Sequence, residues 1–342
     1  MSFLIRQTLI YAVPLMIVAL AGIFAERSGI INLALEGIMI FGAFIGVLFV
    51  RLVQQWGWCD AAMTAKNWPA LQGFMVLAMA VAALFGALFS LLLAFAAINL
   101  KADQTIGGTA LNLLAPALVL FLINVIAQQN KLVIDGGATT WFMIKKSTFG
   151  IPKNQDIGFL GELLIHKVYL STYVCILLFI VLSVLLYTTK FGLRLRACGE
   201  NPQAAASLGI NVYKMRYAGT TISGALSGIG GFVYALAAAD GAATGEVAGF
   251  GFLALAVMIF GNWTPGDIAV SALLFGLFKC IAAAYSSIDL NGDGVYWLAE
   301  IGIPSHIYRL LPYLITLIVL AFTSKRSRVP KAEGIPYDKG AR

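Results

Sequence analysis

Asn32 and Glu36 stand four residues apart in Ser28-Gly-Ile-Ile-Asn-Leu-Ala-Leu-Glu-Gly37, a spacing that puts them on one face of a helix. Thr105, Thr109 and Asn112 mark a second polar face in Thr105-Ile-Gly-Gly-Thr-Ala-Leu-Asn-Leu-Leu114, with Asn124 one helical stripe further. A carboxylate beside carboxamides and hydroxyls offers donors and acceptors together, which suits a hydroxyl-rich or base-bearing solute. Both faces lie in strongly apolar surroundings, where polar groups point to a substrate path. The competing reading puts Glu36 close to the cytoplasmic interface, paired with Arg27 or Lys101. Proton coupling through Glu36 is the weaker reading, since pumps of that type usually show several buried ionisable groups.

A second group of residues suits docking rather than solute binding. The stretch 190–216 carries Lys190, Arg194, Arg196, Lys214 and Arg216 against Glu200. Within it, Gly199-Glu-Asn-Pro-Gln-Ala-Ala-Ala-Ser-Leu-Gly209 spells a short helix. Asn201 can cap it, Pro202 suits its first position, and Gly209 can end it in a left-handed turn. About two turns remain, from Pro202 to Leu208, with Ala204, Ala205 and Ala206 as a smooth face. Two readings stay open on sequence alone: a rigid knob at a membrane surface for another protein, or an ordinary basic loop held on the cytoplasmic side by its charge.

The elements that position these residues are membrane helices. Of 342 residues, 60% are hydrophobic and only 11% charged, with mean hydropathy +0.88. Soluble domains carry about 25% charged residues, so the chain is read as an all-α polytopic membrane protein. The net charge of +7 is then a matter of topology and gives no sign of a nucleic-acid partner. Apolar runs fall near 7–25, 30–50, 71–98, 105–127, 168–188, 217–239, 249–261, 267–285 and 307–323, giving eight to ten transmembrane helices. The 249–261 run is too short to cross alone and stops at the breaker run Gly261-Asn-Trp-Thr-Pro-Gly-Asp267. It reads as a half-helix buried in protein, or as a span that borrows residues from its flanks.

Charge sets the orientation. The 190–216 stretch is basic, and so is the tail with Lys325, Arg326, Arg328, Lys331, Lys339 and Arg342 against Glu333 and Asp338. Both are expected in the cytoplasm, which leaves 129–167, 240–248 and 286–306 outside. Five lysines in 129–167 run against the rule, although three acids offset them. The chain divides into a transmembrane domain, 1–324, containing the coupling segment 190–216, and a basic cytoplasmic tail, 325–342. The 7–25 run reads as a retained helix, since Glu26-Arg-Ser-Gly29 makes a tight loop to the next span. Four cysteines give no disulfide framework. Glycines four apart, Gly42/Gly46 and Gly224/Gly228, suit close helix approach.

No Gly-x-x-x-x-Gly-Lys-Ser/Thr loop occurs in the sequence. Two histidines and no Cys/His cluster leave no catalytic constellation, so an enzyme is not expected.

Glu26-Arg-Ser-Gly-Ile-Ile-Asn-Leu-Ala-Leu-Glu-Gly37 resembles the opening motif of permease subunits of ABC importers in the branched-chain amino acid, ribose and nucleoside permease family. Gly108-Thr-Ala-Leu-Asn-Leu-Leu-Ala115 resembles the smaller of two permeases usually encoded together in the nucleoside branch. Gly199–Gly209 is similar to the cytoplasmic coupling segment, and Pro330-Lys-Ala-Glu-Gly-Ile-Pro-Tyr-Asp-Lys339 to the common tail. The resemblance runs from about residue 20 to the C-terminus; 129–167 and 286–301 depart from it. It implies a type II ABC importer permease in the bacterial cytoplasmic membrane, moving a nucleoside or simple sugar. Its implied partners are a cytoplasmic ATPase, a second homologous permease forming a heterodimer, an extracytoplasmic solute-binding lipoprotein and membrane lipids. No cofactor is implied in this chain; ATP and magnesium belong to the ATPase. Docking on that ATPase would fall to Arg194, Arg196, Gly199, Glu200, Asn201, Pro202, Ala205, Leu208 and Gly209. The rival class is a stand-alone secondary transporter of a small polar solute, which would work without ATP.

One motif stands apart. Asp289-Leu-Asn-Gly-Asp-Gly-Val-Tyr-Trp-Leu-Ala-Glu300 matches a twelve-residue calcium loop, with Asp289, Asn291, Asp293 and Glu300 as ligands and Gly294 at the turn. The alternative is a turn followed by an amphipathic helix.

Overall fold

Wherever an apolar run stops, backbone groups lose their partners, and the architecture follows from how each stop is satisfied. In a computed structural model, residues 2–152, 157–285, 300, 304–323 and 328–340 are described. The first helix, α1 (Ser2–Glu26), ends in a turn at Arg27–Gly29, where Gly29 takes φ +95°. Residues 30–32 belong to no regular element, and α2 (Leu35–Gln55) begins only after a turn at 33–34. This corrects the expected span 30–50: Asn32 lies outside the helix and shares no helix face with Glu36. Its side-chain oxygen accepts from Ala34 N at 3.1 Å, and its amide donates to Ser223 Oγ at 2.9 Å. A local bond of this kind offers the backbone an alternative to the helix.

A short α3 (Trp58–Thr64) leads to α4 (Trp68–Ile98), capped by Asn67 with Pro69 in its first turn. Asp103 caps α5 (Gln104–Ala127) by accepting from Thr105 N and Ile106 N at 2.8 and 3.0 Å. Two small helices, α6 (Ala138–Trp141) and α7 (Gly158–Ile165), precede α8 (Leu170–Thr188). Then come α9 (Lys190–Glu200), α10 (Pro202–Ser207), α11 (Val212–Ala237), α12 (Phe250–Phe260), α13 (Pro265–Ala284) and α14 (Ser305–Thr323).

Among the described residues, seven helices are long and apolar enough to cross a membrane: α1, α2, α4, α5, α8, α11 and α13. The eleven-residue α12 is the half-helix expected at 249–261. The nineteen-residue α14 packs on α13. The chain is thus an all-α polytopic membrane protein.

Helix α11 is central, packed by α1, α2 and α4. Backbones meet there: a Cβ built on Gly42 would collide with Gly228, and one on Gly86 with the Gly224 carbonyl. Small residues let helices approach closely and gain dispersion where no hydrophobic drive acts between them. By contrast, α5 exposes Ile106, Leu113 and Phe121 on its outer face.

At one end, the segment between α5 and α8 is tied down by two short antiparallel pairs. Leu132–Val133 (β1) pairs with Ala242–Ala243 (β4), and Met143–Ile144 (β2) with Val168–Tyr169 (β3). The first pair places the described start of 129–167 and the 240–248 segment at the same end of the bundle. One lysine that ran against the charge rule, Lys146, is buried and ion-paired with Glu162. The four cysteines are buried and free. Of the calcium-loop residues, Asp289, Asn291 and Asp293 lie outside the described residues.

Candidate coupling face and solute path

The coupling segment folds from local signals. Thr189 accepts from Gly192 N at 3.2 Å to start α9, and Asn201 accepts from Ala204 N at 3.0 Å to start α10, with Pro202 in its first turn. Gly209 takes φ +80°; its N–H donates to the Ala206 carbonyl, and that of Ile210 to the Ala205 carbonyl. Asn211 then caps α11 through Lys214 N. The expected short helix is therefore present, and it ends one residue before Leu208.

The exposure of its residues differs from the expected smooth face. Ala205 is 2% exposed, packed with Cys198, Val212 and Tyr337, whereas Leu208 is 81% exposed. Ala204 and Ser207 are exposed beside it. Arg194 faces outward, and Arg196 lies 4.9 Å over the Tyr187 ring. Gly199 packs so closely on the Arg27 carbonyl that a Cβ would collide with it. Glu200 pairs with Arg27 at 3.3 Å. Arg216, one of the basic residues of the stretch, is 1% exposed and lies against Gly29.

The tail lies across this end of the bundle. Ala332 N donates to Gly199 O at 2.8 Å, Gly334 N to Gly29 O at 3.3 Å, and Arg328 N to Asn262 Oδ1 at 2.7 Å. Asp338 pairs with Lys101 at 2.8 Å, and Gln203 donates to its carbonyl at 2.8 Å. Tyr337 meets Tyr213 edge-on at 5.3 Å. The two basic segments that charge placed on one side of the membrane are therefore in contact. Burial pushes the Glu333 carboxyl up to about 7, against the pull of nearby Arg27. Beneath it, Trp263 donates to Glu26, and Arg27 donates to the Trp263 carbonyl at 3.4 Å.

From this end the chain re-enters the apolar interior. Ile31 N donates to Gln104 at the start of α5, and Gly37 N donates to Asn112 Oδ1 at 2.8 Å. Asn112 is two turns further along α5, about 12 Å at 1.5 Å per residue. Asn112 also donates to Leu33 O at 2.7 Å. Helix α2 thus starts inside the helix bundle, where Leu35 is buried, and so does α12, where Phe250 and Gly251 are buried. The N-terminus of α12 is capped by Glu36, which accepts from Gly249 N at 3.0 Å, Gly251 N at 2.5 Å and Phe252 N at 3.4 Å. A carboxylate suits a helix N-terminus, whose free amides carry partial positive charge.

Glu36 therefore pairs with neither Arg27 nor Lys101, which pair with Glu200 and Asp338. Asn32, Glu36 and Asn112 all hold backbone groups. Thr109 is exposed on α5, its hydroxyl donating to the Thr105 carbonyl at 2.8 Å. Thr109 and Asn112 share α5 with Thr105, as expected, but Asn32 approaches from a non-helical segment.

Lys279 was missed by the sequence reading. It lies in α13, with its ammonium 4.9 Å from the Phe250 ring centre and 5.4 Å from that of Tyr313. Its signal was legible: a lysine inside an apolar span is a functional flag.

Residues 4–320 match the family model described as branched-chain amino acid transport system / permease component. The chain belongs to this family. It is 39% identical over 339 residues to the nucleoside ABC transporter permease protein NupC of Lactococcus lactis subsp. cremoris (strain MG1363), covering 99% of this chain and 98% of the relative. It is 39% identical over 343 residues to the guanosine ABC transporter permease protein NupQ of Bacillus subtilis (strain 168), covering 100% and 98%. A second permease of the same Lactococcus strain, the nucleoside ABC transporter permease protein NupB, is 21% identical over 97% of this chain and 83% of its own length. No solved structure matches the chain. This permease component is a transport protein that passes the membrane several times.

Proposed function

We propose that this permease is one of two homologous membrane subunits of an ABC importer for nucleosides in the bacterial cytoplasmic membrane. A separate ATPase binds ATP and magnesium and drives it from the cytoplasm. The observation that carries the reading is full-length similarity, at 39% identity, to two proteins named as nucleoside and guanosine ABC permeases. The second subunit is supported by NupB, a further permease in a strain that also has NupC.

The ATPase docks on α9 and α10, with Leu208 as the apolar contact and the exposed Arg194 of α9 as a charged one. An exposed leucine that directly follows a short helix capped at both ends is a good knob, because little conformational entropy remains to be lost on binding. That end, with the tail, faces the cytoplasm. A solute-binding lipoprotein delivers substrate to the opposite end. Asn32, Glu36 and Asn112 serve the path by fixing its helix breaks, and Thr109 faces the neighbouring subunit or lipid.

The test is uptake of radiolabelled nucleosides by cells carrying the complete set of subunits. ATP-dependent uptake, lost when the ATPase gene is deleted, is expected. Uptake that persists without the ATPase would assign the chain to the secondary transporters. A reporter active only outside the cytoplasm should stay silent when fused after Arg342.

A further inference from the structure

Lys279 is an ammonium inside an apolar helix, and nothing in the coupling or capping described above uses it. An intramembrane lysine must find compensation, and it has three N–H donors and no acceptor. One donor goes to the Ala248 carbonyl at 3.2 Å. The Phe250 and Tyr313 ring faces take part of the charge. The Glu36 carboxylate is near enough to act on it, but its oxygens face three amides of α12. Lys279 is half-buried as a residue, and its one hydrogen bond to a described residue leaves donor capacity on the ammonium. Tyr234 stacks close to Phe250, with ring centres 4.6 Å apart, and Tyr285 lies on Tyr308 at 4.6 Å near the adjoining ends of α13 and α14. A cation with spare donors thus sits against the Phe250 and Tyr313 rings, beside the start of α12.

We propose that Lys279 reads the base of the transported nucleoside and prefers keto purines. This rests on the nucleoside reading above and adds a specificity-determining residue to it. A keto purine presents two adjacent acceptors, O6 and N7, to a donor-only ammonium. Adenine presents N7 beside an N6 amino group, whose N–H bonds would oppose the ammonium. Of the two rings beside the ammonium, Tyr313 is exposed and offers a stacking face that every base can use, so the cation supplies the discrimination.

The experiment compares uptake of labelled inosine and adenosine by the complete transporter, with the same solute-binding protein throughout. Lys279→Gln replaces the cation by a carboxamide, which can accept from N6 and donate to N7. It should lower the inosine-to-adenosine ratio of uptake by roughly ten-fold or more relative to the parent. Lys279→Arg keeps a donor-only cation and should hold the ratio. Co-purification with the ATPase reports assembly separately, and Lys279→Met, neutral and of similar length, gives a second measure if the Gln variant assembles poorly. An unchanged ratio in Gln and Met variants that still transport would overturn the assignment and leave Lys279 as a clamp on Ala248. Absence of nucleoside uptake by the parent would instead overturn the functional reading, and the assignment with it.

Discussion

Replacing Glu36 with Gln tests whether one carboxylate holds the start of α12. Its Oε1 accepts from Gly249 N, and its Oε2 from Gly251 N and Phe252 N. A carboxamide has a single acceptor oxygen. In its better orientation it keeps Gly251 and Phe252 and turns an NH2 group toward the Gly249 N–H. A buried donor left facing another donor costs about 1–3 kcal/mol. Loss of the charge at a partly buried helix N-terminus adds up to about 2 kcal/mol. The expected destabilisation is therefore about 1–5 kcal/mol, read as a lower thermal transition of the purified permease complex in lipid nanodiscs. Uptake should fall together with stability, because α12 would lose its fixed start. Glu36→Asp is the control: it keeps both oxygens but is one methylene shorter, so it should lose less. An unaltered transition in Glu36→Gln would refute the capping argument. A stable, fully assembled variant that fails to transport would show that the charge acts on solute or gating instead of on the backbone.

Leu208→Glu should remove the exposed apolar contact without disturbing α10; burying a leucine contributes about 1.5–3 kcal/mol, so co-purification with the ATPase should weaken by ten-fold or more while the permease still inserts. Ala205→Glu should behave differently, disrupting the packing of Tyr337 and the tail, since Ala205 is buried. Because the docked Glu333 carboxyl titrates at about 7, above its ordinary value, docking of the tail gains from protonation; that gain is full in acid and is lost as pH rises from about 4.5 through 7. Protection of the amides over 328–340, taken as exchange relative to each amide's intrinsic rate at that pH, should be higher at pH 6 than at pH 8, and Glu333→Gln should flatten the difference. Gly228→Val should cost at least about 1–3 kcal/mol by overpacking the α4–α11 crossing, seen as lost folded yield, whereas Gly73→Ala, with open space around it, should be neutral or stabilising by up to about 1 kcal/mol.

The helices and their caps were legible in sequence because their signals are local. Apolar runs of sufficient length marked the spans, and Asn201, Pro202 and Gly209 each do what their residue types dictate. The side of α10 that faces outward was not legible. Three alanines look alike in sequence, and only the tail, more than a hundred residues away, decides that Ala205 is covered by Tyr337. The start of α2 was misread for a related reason. Apolar periodicity continues through residues 30–34, and the bonds that divert the backbone come from Gln104, Asn112 and Ser223 on other helices.

The same bonds explain why polar residues in these spans resembled a solute site. A helix that begins inside a membrane leaves amides that water cannot reach, and each needs an acceptor from protein. At the start of α2, Ile31, Ala34 and Gly37 donate to Gln104, Asn32 and Asn112. At the start of α12, Gly249, Gly251 and Phe252 donate to Glu36. Glu36 belongs to the first turn of α2, so the two breaks are built as one unit and neither can move alone without exposing the other's backbone. Sequence reasoning weighed these side chains first as ligands for a solute, although a helix break inside an apolar run makes its own claim on them. Lys279 lies beside this unit without satisfying any of those amides, since a lysine can only donate.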